Sequence, residues 1–159
     1  MAWTTSKVFR AFQADTLDNT SALDLGSDAF KAALFNNTPT PDENVTSALS
    51  AYNAGSSQWL TANEVFQAGQ WAQGGVALAG AVLNSGTSDV VFFDANDTAS
   101  GGAFTGANIY GAQLYDTTVS TPVANQGVCF NYFGGPNGVT NGTFTSVWNV
   151  LGIARWTIT

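Results

Sequence analysis

The stretch NIYGAQLY, residues 108–115, decides the fold class, because it is a short apolar run bounded by small and polar residues. Similar runs recur along the chain, separated by clusters of Gly, Asn, Ser and Asp. This spacing is typical of a sandwich or barrel of short strands. The predicted strands cover residues 29–35, 64–65, 71–78, 90–94, 108–115, 127–133, 143–148 and 153–159. We therefore expect a mainly β protein, an antiparallel β-sandwich for which a jelly roll is one candidate topology.

The end of the chain is predicted to form a hairpin. Strands 143–148 and 153–159 are expected to pair with each other, with Gly152 in the turn between them. Just before this hairpin, residues 134–138 (GGPNG) and 141–142 (NG) carry dense turn signals. We expect the chain to reverse direction there.

Two short helices are expected to accompany the strands. In residues 6–17, apolar side chains from Val8 to Leu17 lie near one face of a helix that a Thr/Ser start would cap. Residues 42–55 have Asp42 in the N-cap position, apolar side chains at helical spacing and a glycine stop. We predict that the first is an N-terminal helix and that the second packs outside the sheet.

The length of 159 residues predicts a single domain, which would cover the whole chain. Within it, residues 1–20 are expected to form the N-terminal helix or arm and residues 21–159 the sandwich. No run of about 18 apolar residues is present, so we expect no membrane partner. The first residues also lack the pattern of a secretory signal, which predicts synthesis inside the cell.

The composition is unusual because only 9% of the residues are charged and the net charge is −7. The four basic residues form no stripe that could neutralise a phosphate backbone. Direct nucleic-acid binding is therefore not expected. A surface of uncharged polar groups is instead suited to contact with protein.

Catalysis is not expected from the residues present. The chain contains no histidine, which excludes triads with an imidazole base. Carboxylates could pair as Asp94 with Asp97 or Asp116, or as Asp42 with Glu43. Each lies in a turn or loop, where an Asp normally accepts its own backbone N–H. We predict a protein that is not an enzyme, with no catalytic residues and no cofactor.

One segment is a candidate for calcium. Asp94, Asn96 and Asp97 offer oxygen ligands within four residues, although the Gly and distal Glu of an EF-hand are missing. A turn is the favoured interpretation of this segment. We therefore predict no metal site and keep these three residues as the one candidate.

Candidate interface residues are two tryptophans and two basic residues. Trp59 and Trp71 lie in Gly/Ser/Gln-rich loops, where they either cover the edge of the core or anchor a partner. Core cover is the favoured interpretation. Lys7 and Arg10, one turn apart in the predicted helix, could meet an acidic partner surface, although a solvated helix face is the commoner arrangement.

Nearly the whole chain follows an ordered series of sequence phrases. After the amphipathic segment 8–17 come DAFKAAL (28–34), TPD (40–42), NEV (63–65), GGVAL (74–78), FFDAND (92–97), IYGAQLYD (109–116), CFNYFGG (129–135) and NGTFTSVW (141–148). The series resembles a family of small tailed-phage virion proteins found among the structural genes of siphophages. That family usually has Asp or Asn in the last hairpin turn, where this chain has Val150 and Leu151. Leu151 is therefore a further interface candidate.

The resemblance implies a β-rich structural protein of the virion. Within that group a capsid decoration or minor capsid protein is favoured, a homo-oligomer and preferably a trimer, bound to the major capsid protein. It would assemble in the cytoplasm of the bacterial host and reside on the capsid surface. Two alternatives stay open. One is a structural protein of the phage tail or tail tip, and the other is a carbohydrate-binding module whose exposed tryptophans stack on sugar rings.

Overall fold

The computed structural model describes residues 3–18, 22–85 and 89–157. This part of the chain is mainly β, as predicted, with one short helix of more than two turns. A four-residue helix and a single 3₁₀ turn complete it. The elements are β1 (Lys7–Val8), α1 (Arg10–Asp18), β2 (Phe30–Phe35), α2 (Ser47–Ser50), the 3₁₀ turn (Thr61–Asn63), β3 (Val76–Ala77), β4 (Val82–Asn84), β5 (Val90–Asp94), β6 (Thr98–Ala99), β7 (Phe104–Asp116), β8 (Gly127–Gly142), β9 (Thr145–Ser146) and β10 (Ala154–Thr157).

The strands form three antiparallel sheets. The large sheet has the order β1-β8-β7-β2-β3, the small sheet the order β10-β5-β4, and β6 pairs with β9. The long strands β7 and β8 pair over most of their length, with β2 added to the outer side of β7. Phe30 of β2 contacts Phe93 of β5 with ring centroids 4.9 Å apart, which joins the large and small sheets. This two-layer packing agrees with the predicted sandwich.

The other face of the large sheet is covered by aromatic side chains that surround Trp59. The ring of Trp59 lies within 5.2–6.0 Å of the rings of Phe35, Trp3, Phe9 and Phe130. Most of these contacts are edge-to-face, the arrangement that aromatic pairs prefer. All five side chains are buried. Strand β2 is therefore covered on both faces, which explains its nearly unbroken apolar sequence FKAALF.

The N-terminal segment differs from the prediction. Residues 7 and 8 form strand β1, and the helix begins only at Arg10. The reason is pairing with β8, because Phe9 also donates its N–H to the Val128 carbonyl at 3.0 Å. Trp3 and Phe9 belong to the common core and not to a separate arm. Residues 1–2 and 19–20 of the predicted arm lie outside the described residues.

The predicted second helix is shorter than expected. It covers only Ser47–Ser50, and its N-cap is Thr46, whose hydroxyl accepts the Leu49 N–H. Asp42 instead accepts the N–H of Asn44 at 2.9 Å, which closes a turn before the helix. The prediction that Asp42 caps a helix was therefore wrong, because its side chain bonds its own local backbone.

The predicted C-terminal hairpin is wrong. β9 pairs with β6, and β10 pairs with β5 in the other sheet. Gly152, with a φ of 99°, bends the chain between the two sheets, and Ile153 then donates its N–H to the Phe93 carbonyl at 2.8 Å. The last two residues of the predicted strand, 158 and 159, lie outside the described residues.

The turn signals at 134–138 do not reverse the chain either. Strand β8 continues through them to Gly142, because β7 is long enough to pair with both ends of it. Between Tyr132 and Asn137 the register shifts, so that the intervening residues bulge out of the ladder. Gly134 and Gly135 adopt positive φ angles of 82° and 144° in this bulge. The predicted chain reversal was therefore wrong, because these residues form a bulge within one strand.

The position of Trp59 leads to a prediction about stability. Trp59→Ala should lower the free energy of unfolding by about 3–5 kcal/mol, because it leaves a cavity among four aromatic rings. Val147→Ala is the matched control, since Val147 is 72% exposed. This variant should change the free energy of unfolding by less than about 0.5 kcal/mol. Urea unfolding followed by circular dichroism measures both. A cost below about 1 kcal/mol for Trp59→Ala would contradict the packing described above.

Candidate functional site

The two tryptophans predicted as interface candidates are buried. Trp59 and Trp71 are both 0% exposed, so neither can contact a partner. The indole of Trp71 donates to the Ala32 carbonyl at 3.2 Å, which fixes its loop to β2. The interface interpretation of these residues was wrong, and core cover is confirmed. Their loops look exposed in sequence because Gly and Ser surround them, but the side chains point inward.

The basic pair is separated by the change from strand to helix. Lys7 lies in β1 at the edge of the large sheet, whereas Arg10 is the first residue of α1. Arg10 donates from its guanidinium to the Asn44 side-chain oxygen at 2.9 Å. The predicted shared helix face therefore does not exist. Leu151 is exposed, as an interface residue must be, and its role in an interface stays a prediction.

The carboxylates of the calcium segment accept backbone N–H groups. Asp94 accepts the Ala95 N–H at 2.9 Å, and Asp97 accepts the N–H of Trp148 at 2.9 Å. The first contact is local, whereas the second joins the segment to the residues that follow β9. Within residues 3–18, 22–85 and 89–157, no group of three or more Asp, Glu, Cys or His side chains is arranged to hold a metal ion. The structure thus offers no support for calcium at this segment.

An apolar groove lies beside α1. It has a volume of about 410 Å³. We call it the α1 groove. Its lining residues are Phe12, Gln13, Thr16, Leu17, Leu25, Leu83, Val91 and Trp156. None of these side chains carries a charge. Leu17 is 88% exposed and Leu83 is 41% exposed, so that large apolar side chains at the rim meet solvent.

The α1 groove is the uncovered end of the sandwich interior. Val91 and Phe93 are two residues apart on β5 and therefore face the same side of the small sheet. Leu83 is the cross-strand partner of Phe93, and Trp156 is that of Val91, so these two also lie on the inner face. Phe93 is covered by Phe30 of the large sheet. Val91, Leu83 and Trp156 are covered only in part by α1. The groove is therefore a piece of core without a full opposite wall.

A second hollow, of about 330 Å³, adjoins the groove. Its lining residues, which we call the basic cleft, are Ser6, Lys7, Val8, Gln13, Cys129, Asn131, Ile153, Ala154 and Arg155. Gln13 lines both hollows, so the two share a border. Cys129 is buried at the base, and burial raises the pKa of its thiol to about 12, which keeps it protonated and unreactive. Lys7 and Arg155 belong to the lining, but alternation along β1 and β10 puts them on the opposite faces of their strands from Val8 and Ala154.

Sequence reasoning missed both hollows because their walls come from distant segments. The helix, the β4–β5 hairpin and β10 meet only after the C-terminal strand crosses to the small sheet. One local signal was present. Leu17 stands between Thr16 and Asp18 at the polar end of the helix, where a large apolar side chain has no core to join.

The buried carboxylate of Glu64 holds a loop and does not form an open site. Its two oxygens accept the Tyr52 hydroxyl at 2.7 Å and the N–H groups of Gly74 and Gly75 at 2.8 and 3.2 Å. Burial raises the pKa of Glu64, while these donors partly offset the rise. Gly75 is required here, because a Cβ would lie 2.3 Å from the Ala32 carbonyl oxygen. These contacts fix the loop before β3 against the large sheet.

A second buried carboxyl, Asp116, lies at the end of β7. One oxygen accepts the N–H groups of Thr118 and Val119 at 2.7 and 3.2 Å, and the carboxyl also meets that of Asp28. Burial raises the pKa of Asp116 to about 6, and Asp28 adds to the rise, because two adjacent carboxylates repel each other unless they share a proton. The segments of these two carboxyls are linked by the hydrogen bond from the Thr117 N–H to the Ala29 carbonyl, at 2.8 Å.

Comparison with known proteins gives no relative, since no family model, curated protein or solved structure matches the chain. The helices in the described part of the chain are all too short or too polar to cross a membrane. The resemblance to siphophage virion proteins stays a prediction, and the functional argument depends on the α1 groove.

Asp116 leads to a prediction about pH. The folded protein holds the proton more tightly than the unfolded chain, whose Asp has a pKa near 3.8, so stability should fall as the pH rises from about 4 to about 6. Asp116→Asn keeps the acceptor for both N–H groups and cannot ionise. The variant should lose this dependence and be more stable than the wild type at neutral pH, where the wild-type carboxyl must ionise in a buried position.

Urea unfolding at about pH 4 and about pH 7 measures this difference. Asp89→Asn is the matched control, because it removes a carboxylate of the same length at an exposed position. An equal change in the pH dependence of stability in both variants would contradict the raised pKa of Asp116. So would destabilisation by Asp116→Asn at neutral pH.

Proposed function

We propose that this protein is a structural subunit of a tailed-phage virion, a capsid decoration or minor capsid protein that binds the major capsid protein through the α1 groove. The observation that carries the proposal is the groove itself. It is an exposed apolar surface in a chain that is otherwise rich in uncharged polar groups. The resemblance of the sequence to small siphophage virion proteins supplies the kind of assembly.

The groove is suited to binding a protein side chain. Of the eight lining residues only Gln13 and Thr16 are polar, and neither can activate a substrate as an acid or base. Exposed apolar patches on single proteins commonly mark interaction sites. An inserted partner side chain of the size of leucine would supply the missing wall opposite Val91. Its burial would contribute about 1.5–3 kcal/mol.

A capsid lattice would multiply this modest contact. A subunit that contacts several neighbours is held by the high effective concentration that the first contact creates. A trimer placed on a local threefold axis would present three grooves in equivalent positions. One shallow apolar contact surface in each subunit is therefore sufficient for decoration, and the α1 groove is a surface of this kind.

The alternatives have less support. A tail or tail-tip subunit would use the same groove in far fewer copies, so that copy number distinguishes it from decoration. The carbohydrate-binding alternative depended on exposed tryptophans in loops. Trp59 and Trp71 are buried, which removes the observation that favoured sugar stacking.

The first test of this function is the number of copies of the protein in purified virions, measured against the major capsid protein by quantitative mass spectrometry. Decoration predicts a ratio close to a simple fraction of the capsid subunits. A ratio of only a few copies in each particle would overturn decoration in favour of the tail, and complete absence from virions would overturn the virion proposal.

Variants of the groove test the binding surface. Leu17→Glu should weaken binding to particles that lack the protein by about tenfold or more, because it places a charge at the rim of the apolar groove. Val147→Glu adds the same charge at a position of similar exposure outside the groove, and should change binding by less than about twofold. Co-sedimentation of added purified protein with the particles measures both. Equal losses in the two variants would contradict the groove as the contact surface.

A further inference from the structure

A hydroxyl and a carboxamide from two different elements meet at the carboxylate of Asp15 in α1. The Ser47 hydroxyl, at the start of α2, donates to Oδ2 of Asp15 at 2.6 Å. The side-chain amide of Gln126, just before β8, donates to the same oxygen at 2.7 Å. Because both donors contact one atom, Oγ of Ser47 lies close to the carboxamide of Gln126. Among residues 3–18, 22–85 and 89–157, Asp15 is the one carboxylate that accepts both a hydroxyl and a side-chain amide.

The carboxamide of Gln126 is fixed in position and shielded from water. The backbone on both sides of its side chain is bonded, because the Asp116 N–H donates to the Gln126 carbonyl and the Tyr52 N–H donates to the Asn125 carbonyl, both at 2.9 Å. Gln126 is 0% exposed. Ser47 is held as the first residue of a capped helix. The two groups are therefore set face to face by the fold and not by mobile surface side chains.

The three groups have the chemistry that an acyl transfer within one molecule requires. A hydroxyl becomes a nucleophile when an adjacent base accepts its proton, and the two groups then lie within about 2.6–3.2 Å of each other. Ser47 and Asp15 meet this condition. A carboxamide is an acyl group that releases ammonia once its nitrogen receives a proton. Asp15 also contacts that nitrogen in Gln126, so one oxygen can take the proton from the hydroxyl and pass it to the leaving group.

We propose that Ser47 and Gln126 form an intramolecular ester cross-link, with Asp15 as the general base and then the general acid. Oγ of Ser47 bonds to Cδ of Gln126 while its proton passes to Oδ2 of Asp15. Asp15 returns this proton to Nε2 of Gln126 as the bond between Cδ and Nε2 breaks. The products are an ester between the two side chains and one molecule of ammonia. No oxidant, cofactor or second substrate is consumed.

Slow chemistry is sufficient for this cross-link, because each molecule reacts only once. The carbonyl oxygen Oε1 of Gln126 is buried and has no hydrogen-bond donor in the described part of the chain. The charge that develops on this oxygen is therefore not stabilised, and a missing donor of this kind costs about 100-fold or more in rate. Asp15 and Ser47 are only half-buried, so ammonia can leave on their side. We expect the reaction to take hours to days.

The cross-link would join α2 to the start of β8, two segments that are far apart in the sequence. A covalent bond of this kind restricts the unfolded chain in the way that a disulfide does. The chain has a single cysteine and therefore no internal disulfide. The inference goes beyond the proposed function and does not rest on it, because its test needs only the purified protein. An unreacted Ser47 would leave the virion placement and the α1 groove standing.

Mass spectrometry of the intact protein measures the reaction directly. Loss of ammonia lowers the mass by about 17 Da, and the lighter fraction should grow while the folded protein is incubated at neutral pH and about 37 °C. Incubation in guanidinium chloride should stop this growth, because unfolding separates the three groups. Alkaline hydroxylamine cleaves esters but not amides, so it should separate the linked peptides of a digest. A folded wild-type protein that keeps its full mass after several days would overturn the proposal.

Ser47 provides a matched pair of variants. Ser47→Ala removes the nucleophile and should keep its full mass, whereas Ser47→Thr retains a hydroxyl and should still lose ammonia. This pair is needed because residues 137–138 and 141–142 are both Asn-Gly, which can lose ammonia when the Asn side chain cyclises onto the next backbone nitrogen. An equal mass loss in Ser47→Ala and the wild type would assign the reaction to those residues and would overturn the cross-link.

The proton transfer through Asp15 has its own test. Asp15→Asn keeps the size of the side chain but cannot accept the hydroxyl proton, so the cross-link should form at least about tenfold more slowly. Asp18→Asn makes the same change in charge at an exposed position three residues later in α1, and should change the rate by less than about twofold. Circular dichroism checks that both variants are folded. Equal rates in the two variants would overturn the role of Asp15.

Discussion

The pairing of β7 with β8 is the interaction on which the other elements depend. β2 joins the outer side of β7, and β1 joins the outer side of β8, so the large sheet is built outward from this pair. The sheet carries the aromatic rings around Trp59 on one face and Phe30 on the other. Loss of this pairing would remove support from both layers at once. The two hollows exist because the smaller sheet covers the larger one only in part.

Local sequence patterns located the longer strands but not their partners, and they missed the short strands β1, β4 and β6. The predicted strands 29–35 and 90–94 agree closely with β2 and β5, because both are apolar and end at strong breakers. Residues 134–138 carry turn chemistry, and two of them, Gly134 and Gly135, do adopt positive φ angles. Whether such residues reverse the chain is decided by the opposite strand. Here β7 extends back to Phe104 and pairs with β8 beyond the bulge, which no local pattern could reveal.

The same limit applies to the candidate site. Core cover was the favoured interpretation of Trp59, but the sequence did not indicate the rings that bury it, which come from Trp3, Phe35 and Phe130, far apart in the sequence. Leu17 could have been noticed as an apolar residue at a polar helix end. That it faces Trp156 across a groove follows only from the crossing of β10 to the small sheet. Composition correctly excluded imidazole chemistry, because this exclusion needs no geometry.

Strand β1 has only two residues, but buried aromatic side chains hold it at both ends. Trp3, before the strand, donates its indole N–H to the Asn36 carbonyl, and Phe9, after it, packs against Trp59 and Phe130. A strand of this length without such anchors would fray. The N-terminal segment is therefore held in place by the side chains before and after its two-residue strand. Strand β1 thus depends more on the aromatic core than on its own ladder, in contrast to β7 and β8, which pair with each other over most of their length.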